Sequence, residues 1–242
     1  MNTEQLKELA AYSAVDFVRP GMTVGLGHGS TALYAIRRIA HLVRIGQLVD
    51  VRGVPCSAAA EKEAAQSGIP VEDWDGRLRI DLTIDGADEI DPDLNLIKGG
   101  GGALLREKIV AQASRREIII IDDSKFSPFL GTRRAVPVEV VPFGWRSQAL
   151  FLESLGAKAS LRMNPDGNPF ATDEGNYILD CYFGPISDPA DIAERIRRRA
   201  GIVEHGIWVG IATDVIAASP QGLKYMKRES GAQKPHRRKR SA

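Results

Sequence analysis

Apolar positions recur with two periods along this chain, and the switches between them mark its elements. Leu6, Ala10, Ala14 and Phe17 fall on one helical face, and Pro20-Gly21 ends that helix. A short strand, Thr23 to Leu26, runs into the glycine-rich turn G-L-G-H-G-S-T-A, and helical spacing resumes at Leu33, Ile36, Ala40 and Val43. Val49 to Val54 reads as a second strand and Ser57 to Gln66 as a helix closed by Gly68 and Pro70. Leu78, Ile80, Leu82 and Ile84 alternate with polar residues, so a strand leads into Asp85. Ala103 to Ala113 is helical, and Ile118 to Ile121 is a fully apolar strand ending at Asp122-Asp123.

Strand–helix alternation of this kind predicts an α/β fold: a Rossmann-like, mostly parallel sheet with helices on both faces. After Gly131 the pattern changes. Strands at Ala135–Val141, Lys158–Arg162, Tyr177–Phe183 and Ile202–His205, with helices at Ser147–Leu155 and Pro189–Arg199, give the order β-α-β-β-α-β of a ferredoxin-like α+β unit. Ile207–Ile211, Val215–Ala218 and Leu223–Met226 then read as strands returning to the first sheet. The expected organisation is a Rossmann-like domain over 1–131 plus 207–228, an inserted ferredoxin-like domain over 132–206, and a tail over 229–242.

In parallel sheets of this class, ligands bind beyond the carboxyl ends of the strands. Three chemically loaded segments fall there: Gly27–Thr31, Asp85–Asp88 and Asp122–Lys125. The first turn presents free N–H groups and the hydroxyls of Ser30 and Thr31, which suit a phosphate. It is neither a P-loop nor the full dinucleotide fingerprint, and a plain βα turn would look the same. Asp85 and Asp88 can grip hydroxyls or move protons, or form only an Asx turn and a helix cap. Lys98 precedes four glycines, Gly99 to Gly102. A glycine run is costly to order, and a lysine beside it can stabilise a developing oxyanion. Glu107 reads by itself as an ordinary helix glutamate.

Composition narrows the classes. A hydrophobic share of 43% and a charged share of 26% are those of a globular protein. There is no apolar run of membrane-spanning length and no signal-peptide core at the N-terminus, so a cytoplasmic protein with no membrane partner is expected. Cys56 and Cys181 are too few for a disulfide framework, and the four histidines (His28, His41, His205, His236) have no metal-ligand spacing. The stretch D-G-A-D-E-I-D-P-D-L-N lacks the central glycine of a calcium loop. The net charge of +1 hides an asymmetry: residues 223–242 carry about +7, leaving the body near −6. That basic tail is expected to be disordered, with nucleic-acid binding as its functional alternative.

The blocks V-G-L-G-H-G-S-T-A, D-G-A-D-E-I-D, K-G-G-G-G-A-L-L-R-E-K and D-D-S-K, in this order and spacing, resemble the A-type ribose-5-phosphate isomerase family. The resemblance runs from about Leu6 to Met226 and leaves out only the tail. It implies interconversion of ribose 5-phosphate and ribulose 5-phosphate in the pentose phosphate pathway, with no metal and no organic cofactor, by a homo-oligomer (dimer or tetramer). It implies that Gly27, His28, Gly29, Ser30 and Thr31 bind the phosphate end, with Lys7 as helper. Asp85, Gly86, Ala87 and Asp88 would hold sugar hydroxyls, the two acids assisting ring opening. Lys98 with Gly99, Gly100 and Gly101 would face the reacting carbonyl, Glu107 would be the proton-transfer base, and Lys125 would touch substrate. The family usually has threonine where this chain has His28, which is expected still to line the site and donate to the phosphate or a sugar hydroxyl. Two other readings stay open: another sugar-phosphate isomerase, a deaminase or a CoA transferase on a related fold, and a non-catalytic sugar-phosphate sensor.

Overall fold

The computed structural model describes residues 1–228; the basic tail read over 229–242 lies outside the described residues. Helices α1 (Thr3–Val15), α2 (Ser30–Arg44) and α3 (Ala58–Ser67) alternate with strands β1 (Thr23–Leu26), β2 (Arg52–Pro55) and β3 (Leu82–Asp85). Two short strands follow, β4 (Glu89–Ile90) and β5 (Leu96–Ile97), then α4 (Leu104–Ala113) and β6 (Glu117–Asp122). The next six elements are β7 (Val136–Val140), α5 (Trp145–Ser154), β8 (Lys158–Leu161), β9 (Tyr177–Tyr182), α6 (Pro189–Arg197) and β10 (Ile202–His205). Strands β11 (Ile207–Trp208), β12 (Asp214–Ser219) and β13 (Gly222–Lys227) complete the described chain.

The main sheet has the order β13-β12-β6-β3-β1-β2. All its pairings are parallel except that of the edge strand β13 with β12. Its central strands are buried on both faces, so β3 and β6 carry no exposed position at all. Helices α1, α2 and α3 cover one face, packing Leu6, Ala10, Ile36, Ile39 and Ala64 on Val24, Ile84, Ile118 and Ile120. The four-stranded antiparallel sheet has the order β10-β7-β9-β8, which is the ferredoxin-like order, with α5 and α6 on its apolar side.

The structure corrects several sequence expectations. The second face of the main sheet is covered by α4 and by a three-stranded sheet, β11-β5-β4, rather than by helices alone. Strands β4 and β5 were not anticipated: each has two residues, too few to show a period, and they are joined by a turn in which both Asp91 carboxylate oxygens accept from Asn95. The strand read at Ile207–Ile211 is shorter and pairs with β5, outside the main sheet. The strand read from Val49 begins at Arg52, because Asp50 adopts φ 57, outside extended geometry. The alternation from Leu78 is not a strand. Leu78 is 42% exposed, and β3 begins at Leu82.

Candidate active site

Strands β6, β3 and β1 are neighbours, so their carboxyl ends bring the three loaded segments to one cleft. The cleft is lined by Lys7, His28 to Thr31, Gly86 to Asp88, Lys98 to Gly101, Glu107 and Lys125. Every residue anticipated for the site lines it except Gly27 and Asp85, which lie directly behind its wall. A Cβ on Gly27 would sit 2.4 Å from Asp85 Oδ1, so only glycine admits the carboxylate there.

Asp85 is fully buried. Its Oδ1 accepts from the backbone N–H of His28 (3.0 Å) and Gly86 (2.7 Å), and its Oδ2 lies 3.0 Å from Lys98 Nζ. It therefore faces the lysine rather than the open cleft. Asp88 is half-buried on the wall, and its Oδ2 accepts from Gly100 N–H at 2.7 Å. No helix follows it, so it caps none.

Lys98 and Glu107 form the floor, with Nζ to Oε1 at 3.1 Å and both side chains almost wholly withdrawn from solvent. Glu107 is thus not the exposed helix glutamate that its neighbours Arg106 and Lys108 suggested. Lys98 Nζ also donates to Gly86 O at 2.5 Å and sits 5.1 Å from the centre of the buried Trp208 ring. Burial alone would lower the Lys98 pKa, but Asp85, Glu107 and Glu117 outweigh it and hold the ammonium charged. Burial pushes the Glu107 carboxyl up to about 8; Lys98 pulls it down and Asp85 adds repulsion. Glu117, at the start of β6, is buried with neither carboxylate oxygen hydrogen-bonded.

At the other end of the cleft, α2 begins at Ser30 behind Gly29, which has φ 98 and supplies no side-chain cap. Its first N–H groups are open to an anion. Lys7 Nζ is held by Glu4 at 2.8 Å, and Lys125 ends a 3-10 turn after β6. His28 lies between the two ends. Its Nδ1 is 2.9 Å from Ser57 Oγ, and a Cβ on Gly101 would meet its Nε2 at 2.4 Å.

Three residues of the site's surroundings escaped the sequence reading. Ser57 was read only as a helix start, and it does cap α3 by accepting from Ala60 N–H at 3.0 Å while it also holds His28. Glu89 accepts from Gly131, Arg133 and Arg134 N–H at 3.1–3.2 Å, fixing the passage into β7. Arg162 touches the glycine run from the antiparallel unit, 63 residues away in sequence. Apart from the cap at Ser57, these contacts had no local signal, because His28, the segment 131–134 and the glycine run are distant along the chain from Ser57, Glu89 and Arg162.

The family model for ribose 5-phosphate isomerase A (phosphoriboisomerase A) matches residues 52–222. This chain belongs to that family. It is 56% identical to ribose-5-phosphate isomerase A of Chloroflexus aurantiacus, over 93% of this chain and 94% of the relative. Among solved structures it resembles a D-ribose-5-phosphate isomerase in complex with phospho-erythronic acid, with TM-score 0.92 and 39% identity over 94% of this chain and 100% of that one. It resembles ribose 5-phosphate isomerase from Plasmodium falciparum with TM-score 0.90 and 40% identity, over 93% of this chain and 99% of that one. The chain is thus a ribose-5-phosphate isomerase A enzyme. No helix among the described residues is long and apolar enough to cross a membrane.

Proposed function

We propose that this enzyme interconverts D-ribose 5-phosphate and D-ribulose 5-phosphate through an enediol, with Glu107 moving the proton between C2 and C1. The supporting observation is the buried Lys98–Glu107 pair at 3.1 Å on the floor of a cleft whose far end is a helix N-terminus. A carboxylate lifted toward neutrality is a stronger base than an ordinary one, and such a base contributes roughly 10²–10⁴-fold. Lys98 and the glycine loop, through the Gly101 amide that is unpaired among the described residues, meet the oxygen charge that develops. Ser30, Thr31, Lys7 and Lys125 hold the phosphate, so that C1 and C2 lie over Glu107. Asp88 holds sugar hydroxyls; Asp85, from behind, fixes Lys98 and the amide of His28.

The deciding assay follows ketose formation from ribose 5-phosphate in the presence of a chelator. Glu107→Gln should lose at least about a hundredfold in kcat while still binding substrate. A variant retaining more than about a tenth of the parent rate would remove Glu107 from the role.

The antiparallel unit, residues 132–206, is proposed as the homo-oligomer contact, in a dimer or tetramer. It exposes Phe143 (92%), Leu150 (67%) and Tyr182 (56%), more apolar surface than a solvated face needs. A monomer by light scattering at micromolar concentration would overturn that assignment.

A further inference from the structure

We infer that Arg162 is a positioning residue for the reaction: from the antiparallel unit it grips the glycine run by two carbonyls and turns the Gly101 amide toward the substrate. Arg162 takes this role only if Gly99–Gly101 is the oxyanion loop proposed above.

Arg162 follows β8 and is 15% exposed. Its Nε donates to Asp180 Oδ2 at 2.9 Å and its Nη2 to Asp180 Oδ1, a two-pronged grip that fixes the guanidinium plane. The remaining nitrogen, Nη1, donates to Gly99 O and to Gly100 O, both at 3.1 Å. Phe170 sits 5.7 Å from the guanidinium carbon and lies against Gly102, where a Cβ would come within 2.5 Å of the ring. The glycine run is therefore seated on the antiparallel unit.

A trans peptide points its C=O and N–H in opposite directions. With Gly99 O on Arg162, the N–H of Gly100 points the other way, and it donates to Asp88. With Gly100 O on Arg162, the N–H of Gly101 also points away from the arginine. It has no hydrogen-bond partner among the described residues, and Gly101 lines the cleft. Four glycines in succession allow many peptide orientations. Gly102 N–H on Gly99 O and Asp88 on Gly100 N–H help fix the first peptide, the clamp orients the Gly100–Gly101 peptide, and a cation on the carbonyl side strengthens the amide as a donor. Oxyanion binding is thereby tied to the strand pair β8–β9.

The test uses two ligands with the same phosphate end. 4-Phospho-D-erythronate carries a carboxylate where the enediolate oxygens form; D-ribitol 5-phosphate carries none. The full-length parent should prefer the acid in calorimetry. Arg162→Met should lose about 10- to 100-fold of that preference and a similar factor in kcat, with KM and ribitol phosphate affinity nearly unchanged. Arg162→Lys should fall between, and methylguanidine should restore part of the rate of Arg162→Ala, which a packing defect would not allow. If a folded variant keeps the full preference, or loses affinity for both ligands equally, the clamp is overturned. If the parent shows no preference, the oxyanion reading of the loop fails first, and the clamp with it.

Discussion

Lys98 Nζ stands 3.1 Å from Glu107 Oε1 and 3.0 Å from Asp85 Oδ2, one ammonium between two carboxylates at the buried floor of the cleft. The lysine stays charged, while burial raises Glu107 to about 8. A base works in its deprotonated form, so kcat/KM should climb with pH through that value rather than near pH 4.5. Removing the cation in Lys98→Met leaves burial and Asp85 to act alone, which should move the rising limb to higher pH and cost about 10²–10³ in rate. Rates measured from pH 5.5 to 10 check both. A limb at the pH of an ordinary glutamate would mean that the base is not this buried carboxyl.

The sheet and the loaded strand ends were legible because local pattern carries them. The apolar run Ile118–Ile121 needs no partner to read as a buried strand, and G-L-G-H-G-S-T lies between a strand and a helix whatever else surrounds it. What was not legible depends on contacts across the chain. Glu107 has the neighbours of a surface residue, and only the packing of α4 against Lys98 buries it. Asp85 and Asp88 look equivalent in D-G-A-D, yet one ends a buried strand and the other leaves it, so one is enclosed and the other faces the cleft. Strands β4 and β5 draw their identity from pairing with each other and with β11, a pairing invisible in two-residue segments.

His28 is held by Ser57, and the same hydroxyl accepts from Ala60 N–H at the start of α3. The other ring nitrogen, Nε2, faces Gly101 on the cleft wall. If that nitrogen donates to the substrate, His28→Thr should raise KM about two- to tenfold, the worth of one hydrogen bond. An unchanged KM would take His28 off the substrate. Ser57→Ala should raise KM about two- to tenfold, the worth of one hydrogen bond, and cost about 1 kcal/mol through the lost cap.

Glu117 is a stability liability that grows with pH. Burial first, then repulsion from Asp85, raises its carboxyl well above 4.5 in the folded state. A group raised in this way stabilises the fold fully below its unfolded value, and that contribution is lost as pH rises through the folded value. Glutamine has the same shape and no proton to lose. Glu117→Gln should therefore gain on the parent between pH 5 and pH 9, by about 1–3 kcal/mol in urea unfolding, the range for an unsatisfied buried polar group. An equal difference at both pH values would show that Glu117 does not titrate across this interval.

Gly27 offers a way to disturb Asp85 without altering its chemistry. A methyl group there would lie 2.4 Å from Asp85 Oδ1 and 2.5 Å from Ile84 O, and the second neighbour is backbone that cannot swing aside. Gly27→Ala should cost about 1–3 kcal/mol of stability, as overpacking does, and push the carboxylate off Lys98. Asp85→Asn keeps the size and the two amide contacts of Oδ1 but puts an NH2 group, which cannot accept, opposite Lys98 Nζ. If Asp85 acts by aiming Lys98, both variants should lose kcat by at least about tenfold while D-ribitol 5-phosphate, which tests the phosphate end, still binds Asp85→Asn as it binds the parent. A near-parental kcat for Asp85→Asn would leave Lys98 aimed by Gly86 O and Glu107 alone.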